Sequence, residues 1–315
     1  MDLSLVSVLQ VVGGLVLLTF AADRLVLAAA RLSRRSGLSP VLIGAVVVGL
    51  GTSLPEMLVS GLAAAEPNGM DLALGNIVGS NIANVALVLG LSVVLSPIVG
   101  QGRILRREGG LMLAGMLALV AFAWNGVLTL PEGTFLGVGL LVSLTLLVIW
   151  SSQEGAADIE LDEIGGDEDI RAGVEILFGI GSLGITLLGA RLLVTGAEEM
   201  ALELGISEAL IGLTLVAVGT SLPELATALA AARRKENDLV LGNVLGSNLF
   251  NALGVGAVTG IVGNGAPFVE DFGPSLVVMI GVAVLAGVLA TIGNRLDRWQ
   301  GAVLIASYPV LLFLI

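Results

Sequence analysis

Two residue groups in this chain have the types and spacing to hold a cation. Gly51-Thr52-Ser53-Leu54-Pro55-Glu56 lies within a long apolar run and recurs without change as Gly219-Thr220-Ser221-Leu222-Pro223-Glu224. A proline inside a helix cannot donate to the carbonyl four residues back, so Pro55 is expected to free the Gly51 carbonyl and Pro223 that of Gly219. Thr52, Ser53 and Glu56 stand at helical spacings, so their oxygens are expected to share the face that carries the freed backbone; Thr220, Ser221 and Glu224 repeat the pattern. Further along each half, Asn76, Ser80 and Asn84, and then Asn243, Ser247 and Asn251, recur every four residues as polar stripes. Gly75 with Gly79, and Gly242 with Gly246, offer close backbone approach in small-xxx-small contacts.

Ser, Thr and Asn in membrane helices also serve as interhelical glue, and a lone proline kink is common, so either stripe alone fits a structural role as well. Glu56 and Glu224 shift that balance. An ionised carboxylate near the bilayer centre costs at least about 2.5 kcal/mol, and this sequence places one at the same point in both copies. Asp71 and Asp238, which open their spans, are read instead as helix N-caps.

The elements that must position these groups are membrane helices. Of 315 residues, 56% are hydrophobic and only 13% charged, with a mean hydropathy of +1.02. A helical span needs about 20 mostly apolar residues, and with its connection roughly 30, so the length allows about ten. Spans are expected near 4–30, 39–65, 71–98, 109–125, 133–150, 172–198, 207–232, 238–262, 274–292 and 300–315. The chain has no cysteine and no histidine, which excludes thiolate and imidazole chemistry and leaves only a hard cation held by oxygen as a bound metal. With a net charge of −12, no nucleic-acid partner is expected. Met1-Asp2 precedes an apolar run without a basic segment, so a cleaved signal peptide is not expected.

Sorting the connections by charge gives a topology. Arg31, Arg34, Arg35, Arg103, Arg106, Arg107, Arg171, Arg233, Arg234, Lys235, Arg295 and Arg298 fall on alternate connections, which places these in the cytoplasm and both termini outside. Arg24 and Arg191 lie within spans; Arg24 is expected to snorkel to an interface or pair with its neighbour Asp23. The stretch from Glu154 to Asp169 holds eight acids and no base, and it lacks the spacing of an EF-hand loop, so it reads as a solvated cytoplasmic linker.

The second copy repeats more than the hexapeptide: 71–84 and 238–251 agree at nine of fourteen positions. Five spans per half is an odd number, so the halves are expected to be inverted. The fold expected is an all-α membrane protein of ten transmembrane helices in two inverted five-helix repeats, 1–150 and 172–315, joined by the acidic linker 151–171.

The duplicated GTSLPE followed by GNxxGSNxxN resembles the two alpha-repeats of the calcium/cation antiporter superfamily, in particular its prokaryotic Na+/Ca2+ exchanger branch. The resemblance covers essentially the whole chain. It implies a monomeric ten-helix exchanger of the cell membrane, surrounded by lipid, with four central cation positions, one favouring Ca2+ and the others Na+. It implies Glu56, Glu224 and the carbonyls of Thr52 and Thr220 as calcium-type ligands. Sodium-type positions would draw on Ser53, Ser221, Ser80, Ser247 and the carbonyls of Gly49 and Ala217, with Asn84 and Asn251 lining the middle. One departure is Asn251, where some relatives carry an aspartate. No catalytic residue and no cofactor is implied; Ca2+ and Na+ are cargo.

Electrostatics gives a separate reason to expect exchange. Occluding the empty site would bury two carboxylates without counter-charge, which costs far more than occluding a Ca2+ between them. Several Na+ ions, or protons on the glutamates, would permit the return step, so a H+/Ca2+ or other cation/proton antiporter is the alternative. A passive channel would need a continuous filter, and an intramembrane hydrolase is disfavoured because the chain has no His or Cys and neither repeat contains a paired aspartate motif.

Overall fold

The computed structural model describes residues 4–100, 102–155, 172–204 and 217–312. Most of the acidic linker, from 156 to 171, and the start of the seventh expected span lie outside them. Apart from two short strands, the regular structure among the described residues is helical. Helices α1 (Leu5–Ser36), α2 (Pro40–Ile43), α3 (Leu50–Thr52), α4 (Leu54–Ala65), α5 (Met70–Ala83), α6 (Gly90–Leu95), α7 (Gly102–Ala123) and α8 (Leu130–Gly155) make up the first part. The second contains α9 (Ala172–Glu203), α10 (Ala217–Thr220), α11 (Leu222–Arg233), α12 (Asn237–Leu249), α13 (Gly256–Gly263), α14 (Gly273–Thr291) and α15 (Arg298–Leu312). Three π-helical stretches, Gly44–Gly49, Asn84–Leu89 and Phe250–Val255, join α2 to α3, α5 to α6 and α12 to α13.

Among the described residues, six helical stretches are by themselves long and apolar enough to cross a membrane, and the bent pair Pro40–Thr52 and Leu54–Ala65 makes a seventh. The protein is a multi-pass membrane protein. Its surface and core reverse the pattern of a soluble domain: Leu5, Leu9, Val12, Val16 and Phe20 of α1 are exposed, while Glu56, Ser80, Asn84, Glu224, Ser247 and Asn251 are buried. Exposed apolar side chains on the periphery match lipid, and the polar groups collect where lipid cannot reach.

Local signals explain the helix ends. The Ser4 hydroxyl accepts from Val6 N–H to start α1, and Gly37, at φ 68°, ends it in the left-handed region that glycine tolerates. Ser39 caps the next helix by accepting from Leu42 N–H, with Pro40 at its first position.

Helices α1 and α9 run antiparallel along their whole length. Arg24 and Arg31 bind Glu175 at 2.8 and 2.9 Å near one end. The Ser7 hydroxyl donates to Glu199 at 2.9 Å near the other. Between them the backbones nearly touch: a Cβ on Gly14 would stand 2.5 Å from Leu193 N, and one on Gly189 would stand 2.6 Å from Leu18 N. Arg24 therefore does not pair with Asp23. It reaches across to Glu175 and stacks over Phe178 at 4.3 Å, whereas Asp23 takes a two-pronged contact from Arg234 at 2.6 and 2.8 Å that holds the Arg234 guanidinium charged.

The connections sort onto two ends of the molecule. At the first end, β1 (Ile98–Val99) pairs antiparallel with β2 (Arg295–Leu296). The Asn237 amide donates to Pro97 O, Arg34 meets Glu236, and Ser39 N–H donates to Ser151. At the second end, Phe268 N–H donates to Gly126 O and Gly265 N–H to Leu128 O. Asp71 lies there too, but not as a cap of its own helix. Its carboxylate accepts from Val269 and Glu270 N–H at 2.9 and 3.3 Å, tying the first half to the loop before α14. The first end gathers connections that carry the basic residues sorted from the sequence, and the second gathers connections with Glu66, Glu132, Glu270 and Asp271 and no base. Because the chain has no cysteine, single thiols test this geometry: Ser36→Cys and Arg298→Cys should react with an impermeant reagent from one face of the membrane, and Glu66→Cys and Glu270→Cys from the other. A member of either pair reacting from the wrong face contradicts it.

Candidate cation-binding site

In both copies of the hexapeptide the helix is broken at the serine. Ser53 has φ −83° and ψ 5°, and Ser221 has φ −85° and ψ 4°; neither is helical. The arms on either side of Ser53 bend by 44°. Pro55 and Pro223 each sit in the first turn of the following helix, α4 and α11. A proline there removes an N–H that would have no helical partner, so it starts a helix rather than kinking a continuous one. The single shared face expected for Thr52, Ser53 and Glu56 is thus replaced by two half-helices. The end of α3, with its outward carbonyls and negative dipole end, faces the break, and Glu56 begins α4 beyond it. The Thr52 hydroxyl turns back to Val48 O at 2.9 Å and Gly49 O at 3.3 Å.

The two copies meet. The Ser53 hydroxyl donates to Glu224 Oε1 at 3.1 Å, across a separation of 171 residues. Ser247 on α12 donates to the Gly49 carbonyl at 3.4 Å, and Ser80 on α5 lies 3.5 Å from the Thr220 hydroxyl. The small residues make this possible: a Cβ on Gly246 would stand 2.5 Å from Ala45 Cα, and one on Gly49 would stand 3.0 Å from Ser247 N. Gly242 closes on Gly44 and Val41 in the same seam, whereas Gly75 faces the Phe272 ring.

The carboxylates are fully buried and largely unanswered. Both oxygens of Glu56 and Oε2 of Glu224 have no hydrogen-bond partner among the described residues, nor has the Ser221 hydroxyl. Asn84 and Asn251 present both amide atoms in the same condition. Buried polar groups normally find partners, and charged ones nearly always do. A cluster of orphaned oxygens with two carboxylates is what remains of a cation site when the cation is left out of account. No group of three or more His, Cys, Asp or Glu occurs among the described residues, so neutral oxygens must complete the coordination. Ala217 is the first described residue of α10, the short helix that runs to Thr220 just before the second break.

Two features were not legible as site features. The π-helical stretches end at Gly49, begin at Asn84 and contain Asn251, so a wide turn stands beside each of these candidate residues, and such turns are frequent at functional sites. Asn76 and Asn243, seen only as stripe members, each donate to a ligand-bearing helix. Asn76 Nδ2 reaches Glu56 O at 3.3 Å and the Ser60 hydroxyl at 2.9 Å. Asn243 Nδ2 reaches Glu224 O and the Thr227 hydroxyl, both at 3.1 Å.

Comparison with known proteins places the chain in a family. The model of the family described as sodium/calcium exchanger protein matches residues 6–152 and 174–315. The chain belongs to that family. It is 38% identical to the inner membrane protein YrbG of Escherichia coli over 86% of each chain, and 30% identical to the sodium/calcium exchanger MaX1 of Methanosarcina acetivorans over 95% of each. A structure of the sodium-calcium exchanger NCX_Mj superposes with a TM-score of 0.83 at 34% identity, covering 97% of both chains. The fold is the all-helical membrane fold of that exchanger, and MaX1 and NCX_Mj are exchangers, that is, transporters.

Glu56→Gln and Glu224→Gln keep side-chain size and remove the charges that would offset a dication. Each substitution should reduce Ca2+ uptake into proteoliposomes by at least about tenfold. Wild-type uptake in both variants would show that the carboxylates do not hold the ion.

Proposed function

We propose that this protein is a secondary antiporter that exchanges Ca2+ for Na+ by alternating access. The observation that carries the reading is the pair of buried carboxylates, contributed one from each motif copy, with three of their four oxygens unpartnered. In this reading Glu56 and Glu224, with the carbonyls of Thr52 and Thr220, hold Ca2+. Ser53, Ser221, Ser80, Ser247 and the carbonyls of Gly49 and Ala217 serve Na+, and Asn84 and Asn251 line the space between.

The chain then crosses the membrane ten times as two inverted five-helix repeats, 1–150 and 172–315, joined by the linker 151–171. The antiparallel course of α1 against α9, which are corresponding helices of the two halves, supports the inversion. The basic end faces the cytoplasm and the acidic end, with both termini, faces outward across the cell membrane. The working unit is the monomer, and lipid is its other partner. The empty carrier does not turn over, because closing around bare carboxylates costs more than closing around a bound ion. Ca2+ or Na+ removes that penalty, and helices α1 and α9 slide as a pair across the remaining core. Gly14, Gly189 and Gly196 form the seam within that pair, while Gly13, Gly181 and Gly184 have no described neighbour within 4 Å of a Cβ and take no part in it.

The test is 45Ca2+ uptake into proteoliposomes under an imposed Na+ gradient, with a Na+-free, pH-clamped arm. Uptake should follow the Na+ gradient and collapse when it is dissipated. Uptake that persists without Na+ and follows an imposed pH difference instead assigns the coupling to protons and overturns the Na+ reading.

A further inference from the structure

We propose that Asn76 and Asn243 are positioning residues that set which size of divalent cation the two carboxylates accept. The proposal deepens the exchange reading and rests on it. Neither asparagine needs to touch an ion; each acts through the helix that carries a glutamate.

The glutamates lack the usual supports. Glu56 makes no side-chain hydrogen bond among the described residues, and Glu224 is met on Oε1 alone, by the Ser53 hydroxyl with Thr52 of the same motif copy close by, while its Oε2 has no partner among them. The positions of the carboxylates are therefore fixed by the backbones of α4 and α11, and those backbones emerge from a non-helical break at Ser53 and Ser221. The first turn after a break is where a helix is least constrained. Each asparagine clamps that turn. Its NH2 group has two hydrogens, and it gives one to the glutamate main-chain carbonyl and one to a hydroxyl further along the same helix, Ser60 in α4 or Thr227 in α11. Two bonds from one planar group fix both the rotation and the height of the turn relative to α5 or α12.

The hydroxyls are themselves anchored. Ser60 passes its proton to Ala73 O on α5 at 3.1 Å, and Thr227 donates to Pro223 O at 2.8 Å and to Glu224 O at 3.0 Å. Asn76 adds a link across the halves, since its carbonyl oxygen lies 3.5 Å from the Thr220 hydroxyl. An aspartate at either place would have no protons to give, and a serine would be too short to span both acceptors, so the amide is the group the geometry requires. The same double bond recurs in both halves although the hydroxyl partners sit at different offsets from their glutamates, four residues for Ser60 and three for Thr227.

Ca2+ sites are flexible in coordination number, and discrimination by size depends on cavity dimensions and rigidity. With both glutamate backbones clamped, the gap between carboxylates is defined. Released, the first turns can yield to a larger ion, and supporting bonds of this kind are worth about 10- to 100-fold in metal affinity or activity.

The experiment uses the full chain in proteoliposomes, measuring Na+-driven 45Ca2+ uptake and its competition by Ba2+, for wild type, Asn76→Ala, Asn243→Ala, Ser60→Ala, Thr227→Ala and Thr227→Ser. In the asparagine variants the half-saturating Ca2+ concentration should rise about tenfold, and Ba2+ should compete more effectively relative to Ca2+ than it does in wild type. Ser60→Ala and Thr227→Ala should move both quantities in the same direction by less, and Thr227→Ser, which keeps the hydroxyl, should stay near wild type. A purely structural role would lower the maximal rate and leave the Ba2+ to Ca2+ ratio unchanged; that result in the variants that insert overturns the proposal. The serine and threonine variants decide it if the asparagine variants do not accumulate. Wild-type vesicles that take up no Ca2+ at all overturn the exchange reading itself.

Discussion

Everything in this molecule is arranged around two negative charges that lipid cannot solvate. Glu56 and Glu224 lie with no exposed surface in the centre of an apolar protein, where an uncompensated carboxylate costs at least about 2.5 kcal/mol. A sequence whose only purpose was stability would replace them with leucine. In the exchange reading proposed above, the cost is answered by something that comes and goes, and in a chain without histidine or cysteine that partner would be a hard cation held by oxygen.

The remaining architecture follows from that need. Oxygen ligands inside a membrane come from a broken helix, because an intact one uses its carbonyls internally. Proline at the first turn and a non-helical serine make the break twice, and Gly44, Gly49, Gly242 and Gly246 let the stretch before the first break lie against α12 of the other half without side chains between them. The helices that carry the neutral oxygens, α5 and α12, are among the most enclosed, and the long apolar α1 and α9 lie at the periphery, facing lipid. Polar inside and apolar outside is the arrangement of a carrier whose cargo must be stripped of water.

Much of this was legible in the sequence because the relevant signals are strong and local. The duplicated hexapeptide, the paired stripes and the alternation of basic and acidic connections gave the helical membrane fold, the meeting of the two motifs and the two charged ends. What was not legible depended on three-dimensional neighbours. Asp71 sits where a cap would sit, but it bonds a loop almost 200 residues away. Arg24 stands beside Asp23 in the chain, yet a helix turns adjacent side chains about 100° apart, so each finds a partner on another helix. The glycines of α1 and α9 look alike in sequence, yet Gly14, Gly179, Gly189 and Gly196 face the partner helix and Gly13, Gly181 and Gly184 do not. The π-helical stretches carry no periodic signature, and Asn76 and Asn243 read as ordinary members of a stripe until their acceptors are known.

The most direct measurement is a crystal structure of the protein soaked in Ca2+. A single ion should lie between the two half-helix breaks, with oxygens of both Glu56 and Glu224 at about 2.3–2.6 Å and its remaining coordination filled by neutral oxygens of the Thr52 and Thr220 region. Anomalous density for Ca2+ coordinated by only one of the two carboxylates, or found elsewhere with this cluster vacant, would contradict the view that these charges exist to hold one dication together.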